Sequence, residues 1–83
     1  MNHDPESVRW FKARARSLLE SYKDGDEPTR RFFHYWNKTG PAGLQKMQHA
    51  LARSTGYRSW HALLAASEKT RQESIRILKA SER

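Results

Sequence analysis

Six cations, Arg30, Arg31, Lys38, Lys46, Arg53 and Arg58, lie between Pro28 and Ser67, a stretch with no aspartate or glutamate. Guanidinium groups present a rigid fork of N–H donors and ammonium groups a mobile point charge. Without acids nearby, both attract phosphates and carboxylates. A second set, Arg76, Lys79 and Arg83, recurs at i, i+3 and i+7, a spacing that places it as one ridge on the outer face of a C-terminal helix. The acids gather at Asp24, Asp26 and Glu27 and toward the two ends. The formal charge of +7 comes from 16 Lys and Arg against 9 Asp and Glu. Its concentration in the middle of the chain favours an anionic partner, although a basic surface also serves ordinary solubility.

Other chemistry has little to work with. His3, His34, His49 and His61 are far apart in sequence, and the chain has no cysteine to supply a thiolate for zinc. It shows no glycine-rich phosphate loop, no paired carboxylates in one segment and no nucleophile signature. A catalytic role, a bound metal and a cofactor are therefore not expected. The absence of cysteine is consistent with a reducing compartment. The segment MNHDPESV lacks the basic-then-apolar pattern of a signal peptide, and no apolar run approaches the roughly 20 residues that span a bilayer. A soluble, cytoplasmic protein is the expectation.

The elements that must position these cations are helices. Eighty-three residues suit one domain. Hydrophobic residues make up only 36%, so the three Trp, three Tyr and three Phe must provide much of the core. Each ring fully buried contributes about 2–3 kcal/mol. A first helix is predicted from Asp4-Pro5-Glu6, with Asp4 as cap and Pro5 in the first helical position. Val8, Phe11, Ala15, Leu18 and Tyr22, with Leu19 beside them, form its apolar stripe, and Gly25 ends it. Trp10 lies off the stripe near Ala13, Arg14, Ser17 and Ser21. Either the C-terminal helix covers it or its ring is exposed beside Arg14.

A second helix runs from Asp26 or Glu27 to about Asn37, with Pro28 in its first turn. Phe32, Phe33 and Trp36 are assigned to the core and Tyr35 to the periphery. Thr39-Gly40-Pro41-Ala42-Gly43 breaks the chain. A third helix then turns Leu44, Met47 and Leu51 to one face. Gly56 closes it, Ser59 caps a short fourth helix from Trp60 to about Ala66, and Thr70-Arg71-Gln72-Glu73 fits the capping-box spacing for a fifth over about 71–81. Ile75, Leu78 and Ile77 are its expected buried residues. No strand pattern or repeat is present. The expected fold is all-α, a compact orthogonal bundle of four to five short helices with a helix-turn-helix-like pair at 44–66.

GYRSWHALLAA, preceded by QHALARST, resembles a small bacterial all-helical module with the signature A-x-x-x-L-A-x-x-x-G-[FY]-x-S-W-x-x-L. The matching residues are Leu51, Ala52, Gly56, Tyr57, Ser59, Trp60 and Leu63 or Leu64, and KARARSLLESYKDGD looks like the module's first helix and acidic turn. The resemblance covers about residues 9–66. The module is known ahead of ankyrin-repeat or glyoxalase-like domains and as small free-standing proteins, and it has no established activity. The resemblance implies a fold and leaves any role to be exercised alone, in a homo-oligomer or on a separate partner.

On physical grounds alone, Gly56 supplies positive φ, Tyr57 an apolar contact, Ser59 a cap, and Trp60 drops into the core beside Leu63 and Leu64. The helix-turn-helix outline invites a DNA-reading interpretation, but Trp60 to Ala66 offers base edges only His61. Phosphate contact at the start of the fourth helix, from Arg58 and Ser59, does not share that weakness. Two functions remain. The first is a small nucleic-acid-binding or nucleoprotein-associated protein that uses Arg30, Arg31, Lys38, Arg53, Arg58, Ser59, Arg76, Lys79 and Arg83 on phosphates. The second is a protein-interaction module, an inhibitor or adaptor that docks on an acidic partner through Trp10, Arg14, Tyr35 and Trp36.

Overall fold

The computed structural model describes residues 4–37 and 40–81, which form five helices and no strand. They are α1 (Glu6–Lys23), α2 (Glu27–Trp36), α3 (Leu44–Ser54), α4 (Trp60–Ala65) and α5 (Glu68–Ser81). The Cα radius of gyration is 12.5 Å, close to the roughly 12 Å of a compact chain of this length. No helix among the described residues is long and apolar enough to cross a membrane.

The core is a small set of side chains drawn from every helix. Phe11 and Ala15 of α1, Phe33 of α2, Met47, Ala50 and Ala52 of α3, and Leu63 of α4 are fully enclosed, with Val8, Leu51 and Ile75 nearly so. The third helix is the hub, packing against α1, α2 and α4, while α5 packs on α1. The aromatic residues enter unequally. Phe33 is buried, Phe32 and Trp36 are half-buried against the core, and Tyr35 is 68% exposed. Trp60 is half-buried, so Leu63 anchors α4 in its place, and Leu64 stands at the surface. Ile77, expected inside, is 61% exposed because Ile75 and Leu78 occupy the inward stripe of α5.

Two helices end in the same way. At Gly25 (φ +90°) the Gly25 and Asp26 amides donate to the Tyr22 and Ser21 carbonyls. At Gly56 (φ +97°) the Gly56 and Tyr57 amides donate to Arg53 and Ala52. This is the Schellman pattern, which satisfies the last carbonyls of a helix and needs a residue tolerant of positive φ. Asp26 caps α2, accepting from the Thr29 amide at 3.1 Å and its hydroxyl at 2.5 Å. Those bonds, the hydroxyl's first, hold the Asp26 carboxyl below its ordinary pKa. Ser59 caps α4 through the Ala62 amide at 3.1 Å.

Helix starts differ from expectation at both ends of the chain. Pro5 takes the cap position of α1 without a side-chain bond, and Asp4 pairs instead with Lys12 at 2.6 Å. Helix α5 begins earlier than the Thr70 spacing suggests, because the Ser67 hydroxyl accepts the Thr70 amide at 3.1 Å. Moving the start to Glu68 brings Glu68 and Arg71 into the first turn, where both face α1.

Arg71 is 4% exposed. Its Nε donates to the Ser7 hydroxyl at 2.7 Å. Its Nη1 faces the carbonyls of Leu63 (3.2 Å), Leu64 (3.0 Å) and Ala66, and Nη2 reaches Glu68 at 3.4 Å. The Ser7 hydroxyl donates in turn to Glu68, whose carboxylate also accepts the Ser7 amide at 3.4 Å. Glu68 thus serves α1 as the cap that Pro5 cannot provide, and Arg71 closes the C-terminal carbonyls of α4. Among the described residues, no buried side-chain nitrogen or oxygen lacks a partner.

Replacing Arg71 by alanine orphans the Leu64 and Ala66 carbonyls and removes one partner from the Leu63 carbonyl and from the Ser7 hydroxyl, and is expected to cost about 3 kcal/mol of unfolding free energy in urea titrations followed by circular dichroism. Lysine should recover only part, because an ammonium lacks the fork. The Glu68 carboxyl is held at about 2, below its ordinary 4.5, first by the Ser7 hydroxyl and then by the Gln72 amide. Its contribution is therefore complete above pH 4.5 and disappears as pH falls toward 2. The Glu68→Gln protein should show a flatter loss of thermal stability across that window than the parent.

Candidate functional site

The end of α2 and the turn that follows α3 meet in an open groove of about 460 Å³ lined by Trp36, Arg53, Gly56, Tyr57 and Arg58. Trp36 is the last residue of α2, and Arg53 occupies the last turn of α3. The Schellman turn at Gly56 then carries Tyr57 and Arg58 across the helix end. The Tyr57 hydroxyl bonds the Ser74 hydroxyl on α5 at 2.9 Å, which fixes its ring as one wall. The Arg53 guanidinium carbon lies 6.0 Å from the Trp36 ring centroid, at the outer limit of a cation–π contact. Tyr35 stands edge-on to Trp36, with centroids 4.9 Å apart and planes at 83°. Arg53 and Arg58 are exposed, and so is Arg31, one helical turn before Tyr35.

The groove is positively charged despite its setting. Two helix C-termini meet there, each equivalent to roughly half a negative charge. Arg53 and Arg58 each carry a full positive charge, so the cations outweigh the dipoles, and no acid lines the groove. Its cations stand at the exposed rim and its rings form the wall. That arrangement suits a ligand that is both anionic and flat-faced.

Other cations named from sequence are placed elsewhere. Arg30 is half-buried, donating through Nε to the Tyr22 carbonyl at 3.2 Å with its guanidinium 4.9 Å from the Tyr22 ring centroid. Its role is to tie α2 to α1. Arg76 and Lys79 line a depression of about 420 Å³ along α5 with Lys69, Gln72, Glu73 and Ile75. Glu73 pairs with Arg76 there, so the ridge is of mixed sign. Lys38 and Arg83 lie outside the described residues.

Arg58 and Ser59, adjacent in sequence, face different depressions. Ser59 lines one of about 350 Å³ with Gln45, Gln48, His49, Trp60 and His61, and its hydroxyl already holds the Ala62 amide. Trp10 is half-buried against the core, edge-on to Phe11 at 5.1 Å, with the Arg14 guanidinium 6.0 Å from its ring. Of the rings and arginines that sequence reasoning divided between two functions, Trp36, Arg53 and Arg58 meet in this groove with Tyr35 edge-on to Trp36, while Trp10 and Arg14 do not join them. Sequence reasoning missed Tyr57 as a wall of that groove. It also missed Arg71, although a signal for Arg71 was present, since it stands four residues before Ile75 on the inward stripe of α5. Among the described residues no group of three or more His, Asp or Glu side chains could hold a metal.

No family model matches the chain, and neither a curated protein nor a solved structure matches it.

Gly56 sets the height of the Arg58 side of the groove. A Cβ added there meets nothing within 4 Å, so its cost is that of the backbone at φ +97° alone. Gly56→Ala is expected to lose about 1 kcal/mol of stability by chemical denaturation.

Proposed function

We propose that this protein binds nucleic acid through phosphate contacts at the groove between the end of α2 and the α3–α4 turn, without reading base edges. The observation that carries the proposal is the convergence of exposed Arg53 and Arg58 on Trp36 in a groove whose lining has no acid. It lies within a stretch of chain, Pro28 to Ser67, that has none either. Exposed guanidinium forks bind phosphate oxygens without regard to sequence. Base-specific reading by α4 is disfavoured, because that helix has six residues, buries Leu63 and offers only His61 as a polar reader.

Arg31 is exposed on α2 one helical turn before Tyr35, whereas Arg76 and Lys79 on α5 belong to a surface that Glu73 partly neutralises. An acidic protein would meet the same charges, and the experiment separates the two partners.

Fluorescence anisotropy with labelled oligonucleotides at stepwise salt should give log K falling linearly with log salt, by about 0.9 per phosphate contact on duplex DNA and 0.7 on single strands. Arg53→Ala and Arg58→Ala should each reduce that slope by about one contact. The double charge reversal, Arg53→Glu with Arg58→Glu, should abolish binding, and Arg76→Glu should weaken it only mildly. Salt-insensitive binding, or none at low salt, overturns the reading. Saturable binding of polyglutamate but not of nucleic acid assigns the groove to an acidic protein instead.

A further inference from the structure

The geometry points to single-stranded nucleic acid as the ligand of this groove, with a base stacked on Tyr35 and the flanking phosphates held by Arg53 and Arg58. The inference rests on the nucleic-acid reading above and goes beyond it by naming the strand state.

Three observations carry it. Tyr35 is 68% exposed, the most exposed of the large hydrophobic side chains among the described residues. The ring is neither in the core cluster nor among the partly buried hydrophobics packed against it. It is nevertheless braced, because Trp36 stands edge-on to it at 4.9 Å and is itself packed against the core. A ring held by its neighbour and open to solvent is a preorganised stacking platform. Base–aromatic stacking contributes about 1–3 kcal/mol per base and tolerates any sequence, because every base has a π-face.

A duplex cannot use such a platform, since its base faces are already stacked on one another and only phosphates and groove edges remain accessible. A phosphate-only site needs no exposed ring. An exposed ring braced by Trp36, which shares its groove with the exposed Arg53 and Arg58, is the arrangement by which proteins hold a single strand without reading it. The fold offers little to a duplex groove. Its most nearly helix-turn-helix element, α3 with α4, has its second helix anchored in the core by Leu63.

The experiment compares an oligothymidylate of about 12 nucleotides, an oligouridylate of equal length and a duplex of equal length, by anisotropy at one fixed salt concentration. The single strands should bind at least about tenfold tighter than the duplex. Tyr35→Ala should weaken single-strand binding by about tenfold, leaving duplex binding and the salt slope unchanged, while Tyr35→Phe keeps the parent affinity. A preference for either sugar supports the inference and identifies DNA or RNA as the source. Because Tyr35 lies outside the core, an unchanged melting curve should accompany the loss in Tyr35→Ala, and a lowered one is corrected for by the Tyr35→Phe comparison. Equal affinity for single strand and duplex, or an unaffected Tyr35→Ala, overturns this inference and leaves the phosphate reading intact. Failure of all three nucleic acids to bind overturns both.

Discussion

The fold depends on the Arg71 fork. Helix α4 has six residues, so the carbonyls of its second half have no partner four residues ahead. A helix that short is not stable on its own propensity. Arg71 supplies the missing donors from the next helix, collecting Leu63, Leu64 and Ala66 on one nitrogen while its Nε holds Ser7 of α1. Burying a guanidinium is expensive unless every donor is used. Here the cost is offset because the charge sits where carbonyl dipoles and the Glu68 carboxylate converge. Glu68 in turn caps α1 from a distance of sixty-one residues in sequence. One cluster thereby closes two helix ends and fixes α5 to the start of the chain.

Away from that cluster, the ends of α2 and α3 form a surface. Leu63, Met47 and Phe33 fill the interior, so Trp36 reaches the core with only part of its ring and its remainder becomes wall. Tyr57 is pinned to Ser74 on α5, which holds the turn after α3 against the body of the fold. The groove is thus built from rigid parts, with its cations at the rim. Binding a ligand there calls for little ordering of the protein, which favours affinity from a small contact area.

Much of the fold was legible in the chain because helix ends obey local rules. Gly25 and Gly56 sit where positive φ is required, and Asp26 and Ser59 sit where an oxygen meets a free amide. These features involve residues within five positions of one another. The errors arose where two local rules competed. Asp4 and Thr70 both fit cap positions, but Lys12 took the first and Ser67 displaced the second. Trp60, by its size, was the expected anchor of α4, yet the smaller Leu63 fills the enclosed site and the indole is left half outside.

Sequence by itself determined the helical class, the turns and a central segment free of acids, because each follows from residue type and short spacing. Tertiary structure decided which cations act together. It drew Arg30 onto Tyr22, buried Arg71, paired Arg76 with Glu73, and left Arg31, Arg53 and Arg58 exposed, the last two sharing a groove with the half-buried Trp36. No spacing rule could supply that selection. The three arginines come from two helices and a turn whose relative placement is set by how Phe33, Met47 and Leu63 fill one small core.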